Sequence, residues 1–438
     1  MISPQRRIEI LDALRRGTVP RRGLGAFAVG LERFEDSLVE SLDRVATGGS
    51  VFKAVRGEYG CGKTFFARWL QERAKERNFA TAEVQISETE TPLHRLETVY
   101  RRMVERLTTR SAENGAFRSI IESWFFALEE DVISTGSVAP EDSEGLLRET
   151  TTLMEKRLET ISRTAPAFAA ALRGYREALS RGEPPIADGL LAWLAGDPNV
   201  SAAVKRAALI KGEVDHFGAL AFLQGLLLLL RDSGHSGLVL VLDEVETLQR
   251  VRADTRERGL NAMRQLIDEI DAGRFPGLFL VITGTPAFFD GPQGVQRLLP
   301  LAQRLHTDFQ TDARFDNPRA VQLRLSGFSN ESLLSVGRRI RDIFSEGVTQ
   351  ATRVQNLATD SLIERLAMGV AGRLGGKVGI APRLFLKKLV ADVLDRIEQF
   401  ADFDPGQHYA LTLSQSELTD EERNSMPAAS VDEISLRL

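Results

Sequence analysis

The segment Gly57-Glu58-Tyr59-Gly60-Cys61-Gly62-Lys63-Thr64 constrains this chain more than any other, because it fits G-x-x-x-x-G-K-[ST] at every position. Its flanks matter as much as its letters. Residues 50–56 are a short β-branched and aromatic run that reads as a buried strand, and residues 65–77 read as a helix. In a strand–turn–helix of this kind, successive backbone N–H groups and the positive end of the helix converge on one polyphosphate. Gly57, Glu58, Tyr59, Gly60, Cys61, Gly62, Lys63, Thr64 and Phe65 are therefore the expected nucleotide-contacting residues. Lys63 would place a point charge on the β/γ oxygens, and Thr64 would offer a hydroxyl to Mg²⁺. Cys61, a thiol at a helix start beside a lysine, is open to a lowered pKa, although filling the available space is the simpler reading.

Such a loop needs acidic groups opposite it. Residues 238–242 (LVLVL) form an apolar run that delivers Asp243 and Glu244 at its carboxyl end, the edge where ligands bind in parallel sheets. Asp243 is the expected magnesium ligand and Glu244 the residue that polarises the attacking water. Residues 80–87 and 277–283 read as further strands, and helical patterns over 92–107, 217–231 and 255–272 alternate with them. Continuous apolar strands separated by helices predict an α/β fold, a P-loop NTPase parallel sheet covered on both faces. Residues of roughly 110–215 carry no strand pattern. Their Ala, Leu, Arg and Glu periodicity predicts a large helical insertion, which explains why the acidic pair lies so far downstream of Lys63. Beyond Leu325 the pattern is helical to about Phe400, with a glycine-rich break at 372–379, and the last residues read as a weakly packed tail.

Composition narrows the classes. At 438 residues the chain is long for a single domain, and 43% hydrophobic with 27% charged residues is globular. A formal net charge of −5 argues against a basic nucleic-acid sleeve. One cysteine excludes an internal disulfide framework, and the five histidines show no metal-ligand spacing. The most apolar stretch, 218–230, falls short of the roughly 20 residues that span a bilayer. The N-terminus lacks a signal-peptide core, so a cytoplasmic chain without membrane contact is expected. The expected division is an N-terminal helix and connector (1–25), an ATPase core (26–325) interrupted at about 110–215, a helical lid (326–400) and a tail (401–438).

With the phosphate loop, acidic strand end, a threonine-bearing strand (GLFLVITGT) and GIAPR at 379–383 in that order, the chain resembles AAA+ modules of the initiator, Cdc6-like branch. More narrowly it resembles the BrxD family of ATP-binding proteins from BREX phage-defence systems. The blocks that carry this are VPRRGLGAFAVGLERFE, VFKAVRGEYGCGKTFFARWLQERA, AEVQISETETPLHRLETVYRRMVERL, LVLVLDEVETLQR and LVITGTPAFFDGPQGVQRL. The resemblance implies an ATP- and Mg²⁺-dependent α/β core with a C-terminal helical lid, a homo-oligomeric state, and work within a multi-protein antiviral complex, with DNA as a candidate partner. It implies a polar sensor at Thr283 or Thr285. It also implies an arginine finger at Arg304, or less readily Arg297, on a helix over 295–309, and a second sensor at Arg383. Two functions compete: an ATP-hydrolysing switch or motor, and a scaffold that binds nucleotide and recruits partners with little turnover.

Overall fold

The computed structural model describes residues 2–136, 142–374 and 382–423. Strand β3 (Leu238–Asp243) is buried along its whole length and shows how the molecule is layered. Leu238, Leu240 and Leu242 enter one hydrophobic core, while Val239 and Val241 enter another. A strand covered on both faces has no need of polar alternation, which is why this run reads as unbroken apolar sequence. Together with β1 (Val51–Arg56), β2 (Ala80–Gln85), β4 (Leu278–Gly284) and β5 (Gln322–Arg324) it forms one sheet in the order β2-β3-β4-β1-β5. All pairings are parallel. The helices Glu32–Ala46 and Lys63–Glu76 cover one face. Leu96–Glu105, His216–Asp232 and Ala253–Asp271 cover the other. This is a P-loop NTPase-like α/β fold.

The register levels the carboxyl ends of the strands. Arg56 pairs with Gly284, Leu242 with Ile282, and Gln85 with Asp243, so the chain segments leaving β1 to β4 emerge at one edge. Strand β5 has no counterpart among the sequence expectations. Its three residues include Gln322 and Arg324, and β1 alone holds it. Lys53 reinforces that edge by donating from its buried ammonium to the carbonyls of Arg319 and Ala320, each at 2.7 Å.

The segment between β2 and β3 is helical among its described residues, with Ala116–Ser134, Ser143–Thr164, Pro166–Ser180, Pro184–Leu194 and Ala202–Ala207. Its core is continuous with the sheet's through the helix His216–Asp232, which Asp215 caps by accepting from Gly218 N at 2.7 Å. Phe222 on that helix is the hub, with the rings of Tyr100, Phe168 and Trp193 at 5.8, 5.1 and 5.3 Å. Trp124 and Tyr100 tie their polar tips to Asp232 (2.6 Å) and the Leu194 carbonyl (2.9 Å). Burial on several sides accounts for the leucine-rich run at 226–230, which no helix with a solvent face would carry. Among the described residues no helix is long and apolar enough to cross a membrane.

A separate core gathers Asn330–Ser345, Asp360–Arg373 and the helical stretch 382–399, whose middle, Lys388–Leu394, is π-helical. The N-terminal helix Pro4–Arg15 packs into this same core through Ile10, Leu11 and Leu14, and Arg15 pairs with Asp395 at 2.8 Å. Residues 19–29 then cross to the phosphate-loop helix. There Glu72 accepts from the amides of Gly23, Leu24 and Gly25 at 2.5, 2.9 and 3.3 Å. Residues 401–423, expected as a loose tail, bury Leu418 and Glu422 and pack Tyr409, Leu411 and Leu413 on the C-terminal core. The sparse, non-periodic apolar residues there do not announce themselves in sequence. The Gly379, Ile380 and Ala381 of GIAPR lie outside the described residues.

Candidate functional site

The turn after β1 closes on itself so tightly that only glycine fits its first position. A Cβ on Gly57 would collide with Cys61 Sγ and the Leu325 carbonyl. Gly62 has φ +97°, a backbone that side chains rarely adopt, and it starts the helix Lys63–Glu76 with no side-chain cap. The first N–H groups of that helix are therefore left facing outward for an external acceptor. Phe65 packs edge-on against Phe27, with centroids 5.2 Å apart, and joins the loop to the residue 19–29 segment. Glu58 and Gly60 are exposed on the loop's outer rim and Tyr59 is half-buried. The Cys61 thiol is buried, and burial pushes it above the ordinary thiol range despite the opposing pull of Lys63. Burial and the upward shift disfavour a thiolate and agree with the space-filling reading of Cys61.

Lys63 is buried and folds back on its own loop, donating to the Gly57 carbonyl at 2.9 Å and the Glu58 carbonyl at 3.3 Å. Its ammonium lies 5.1 Å from the centre of the Tyr59 ring and 3.8 Å from the carboxylate of Glu246. Burial pushes the Glu246 carboxyl up to about 7 against the attraction of Lys63.

Four chain segments meet beside this loop. Asp243, the last residue of β3, is buried, and its Oδ2 accepts from the Thr64 hydroxyl at 2.9 Å. Its other oxygen accepts a short bond from the Thr283 hydroxyl on β4 and the Glu244 N–H at 3.2 Å. Glu244 has φ +60° and ψ 42°, a left-handed conformation that costs a non-glycine residue on the order of 1 kcal/mol or more. Its amide also donates to Thr283 Oγ1 at 3.2 Å. Its carboxylate is held by Gln85 at the end of β2, Nε2 to Oε2 at 2.8 Å. In the sequence Gln85 reads only as part of a strand, with nothing that marks a role. Only the Gln85–Asp243 register brings it to the acidic pair.

The remaining expected residues sit elsewhere. Thr285 is buried but belongs to the start of the short helix Pro286–Asp290, where its carbonyl accepts from Phe288 N at 3.0 Å. The single helix expected over 295–309 is two pieces, a 3₁₀ turn Val295–Arg297 and a helix Leu299–Leu305. Pro300, without an N–H, can open a helix but cannot continue one. Arg297 is exposed. Arg304 pairs with Asp268 at 2.6 Å and donates to the Pro300 carbonyl at 3.0 Å. Arg383, expected at a γ-phosphate, is turned to the C-terminal segment: it pairs with Glu422 and donates to the Glu417 carbonyl at 2.7 Å. Buried Glu422 needs a cation, and Arg383 supplies it. Burial would raise the neighbouring Glu417, but the Ser414 amide, Lys388 and Lys387 outweigh it and hold that carboxyl at about 2. Other arginines also carry ion pairs, Arg102 with Glu90 and Glu105, and Arg338 and Arg341 with the shared carboxylate of Asp360.

The assembled donor set is an uncapped helix start, an ammonium, a hydroxyl–carboxylate pair and a second carboxylate. It suits a polyphosphate carrying a small oxygen-seeking cation. Among the described residues no three His, Cys, Asp or Glu side chains form a metal cage of their own. A family model described as BREX system ATP-binding protein BrxC/D matches residues 2–413 of the chain. No curated protein matches it.

Proposed function

This chain belongs to the family of BREX system ATP-binding proteins, and on that premise we propose that it hydrolyses ATP as a switch or motor inside a multi-protein phage-defence system. Residues 57–65 cradle the triphosphate, with Lys63 on the β/γ oxygens. Thr64 and Asp243 hold Mg²⁺, which would supply charge neutralisation at the transferring phosphoryl group. Glu244 orients and polarises the attacking water, and Thr283 fixes Asp243 and the Glu244 amide together. Residues 26–325 make the ATPase core, interrupted by the insertion, and residues 326–400 its lid. Arg304 would serve a neighbouring subunit's nucleotide after leaving Asp268.

The observation that carries this reading is the hydrogen-bonded run Thr64–Asp243–Thr283, which joins the phosphate loop to the acidic strand end with Glu244 attached to it. The Gln85 bond to Glu244 favours a second reading: a state that holds nucleotide without turning it over, as a recruiting scaffold would. Steady-state phosphate release separates the two. Glu244→Gln is expected to retain ATP binding and lose turnover by roughly two to three orders of magnitude. A Glu244→Gln protein as fast as the parent would remove Glu244 from the chemistry, and a parent with no sustained release would favour the scaffold. The same assay with and without duplex DNA tests action on DNA.

A further inference from the structure

Glu246 follows the acidic pair on the short turn Val245–Gln249. Its side chain is 4% exposed, and neither carboxylate oxygen accepts a hydrogen bond of good geometry. Carboxylates without donors are among the most costly groups a fold can bury, and they persist where a cation answers them. The cation facing Glu246 is the ammonium of Lys63, 3.8 Å from Oε1 and itself 8% exposed. Lys63 has three N–H donors, and the Gly57 and Glu58 carbonyls take two of them. The third is left for Glu246 or for a phosphate.

We propose that Glu246 is the resting counter-charge of Lys63, a carboxylate that competes with nucleotide phosphate for the same ammonium and so sets how tightly the pocket holds nucleotide. The inference rests on the ATP-binding reading of this pocket. When Lys63 turns to the β/γ oxygens, Glu246 loses its partner and keeps the charges of Asp243 and Glu244 as neighbours, so each binding event is opposed by the loss of this pair. Burial already raises the Glu246 carboxyl, in the direction expected of a group whose compensation is incomplete. Glu246 acts through Lys63 and is a positioning residue.

Two measurements on the full chain test this. The first needs no nucleotide: thermal melts at alkaline pH of the parent, Glu246→Gln, Lys63→Ala and the double variant. Lys63→Ala is expected to lower the melting temperature by stranding the carboxylate, and adding Glu246→Gln to recover it. Simply additive shifts would overturn the pairing. The second is calorimetric titration with ADP and with a non-hydrolysable ATP analogue in the presence of Mg²⁺. Glu246→Gln is expected to bind both on the order of fivefold tighter than the parent. Glu246→Asp, which retracts the charge by one methylene, should fall between them. Unchanged or weaker binding by a Glu246→Gln protein that melts like the parent would overturn the competition. A parent that binds neither nucleotide would sink the ATP reading itself, and the melts would still decide whether Lys63 and Glu246 are a pair.

Discussion

Glu244 holds two properties that pull against each other. Its backbone is forced into a left-handed conformation by bonds to Asp243 and Thr283, while its carboxylate is drawn to Gln85 on the neighbouring strand. Strain maintained at a strand end by several partners is a mark of a position selected for what it does. The Gln85 bond engages Oε2 of the carboxylate, and under the proposed chemistry it would restrain Glu244. Gln85→Ala is expected to raise basal phosphate release about three- to tenfold, the worth of one solvent-exposed hydrogen bond, and to leave nucleotide affinity unchanged. Equal turnover in the two proteins, by the same phosphate assay, would show that the bond exerts no restraint. Of the site residues, Asp243 and Thr283 are legible at the ends of apolar runs, and Lys63 and Thr64 at the glycine turn that opens a helix. Gln85 and Glu246 were not singled out. What distinguishes them is register in one case and burial beside Lys63 in the other, and neither is written into local composition.

Among the elements, the helix His216–Asp232 links the sheet to the inserted helices. Its Phe222 contacts Tyr100 from the helix after β2 and Phe168 and Trp193 from the insertion. Truncating so enclosed a ring removes contacts on both sides at once. Phe222→Ala is expected to destabilise the protein by about 3–5 kcal/mol in a denaturant titration. A loss below about 1 kcal/mol would mean that the insertion does not depend on this junction. The insertion was legible in outline because amphipathic periodicity persists over many turns. Strand β5 was not, since three residues give no period to read. The helix expected over 295–309 failed at Pro300, whose missing N–H outweighs the apolar spacing around it. The pairing of Arg383 was not legible either, since its partner Glu422 is remote in sequence and lies in a segment with the composition of a tail.

For the whole molecule, the parallel order β2-β3-β4-β1-β5 brings the phosphate loop, the acidic pair and Thr283 to one edge, although the insertion separates them widely in the chain. The N-terminal helix sits in the C-terminal core, and the segment after it docks on Glu72 of the phosphate-loop helix. The phosphate-loop helix is thus tied through the segment after the N-terminal helix to the C-terminal core. All of this takes as its premise a pocket that grips a magnesium-bound triphosphate. Isothermal titration calorimetry of ATP into the 438-residue chain, with and without Mg²⁺, tests that premise most directly. Saturable, magnesium-dependent binding by the parent and none by Lys63→Ala is expected. Absence of binding to a well-folded parent, or equal binding by Lys63→Ala, would contradict it.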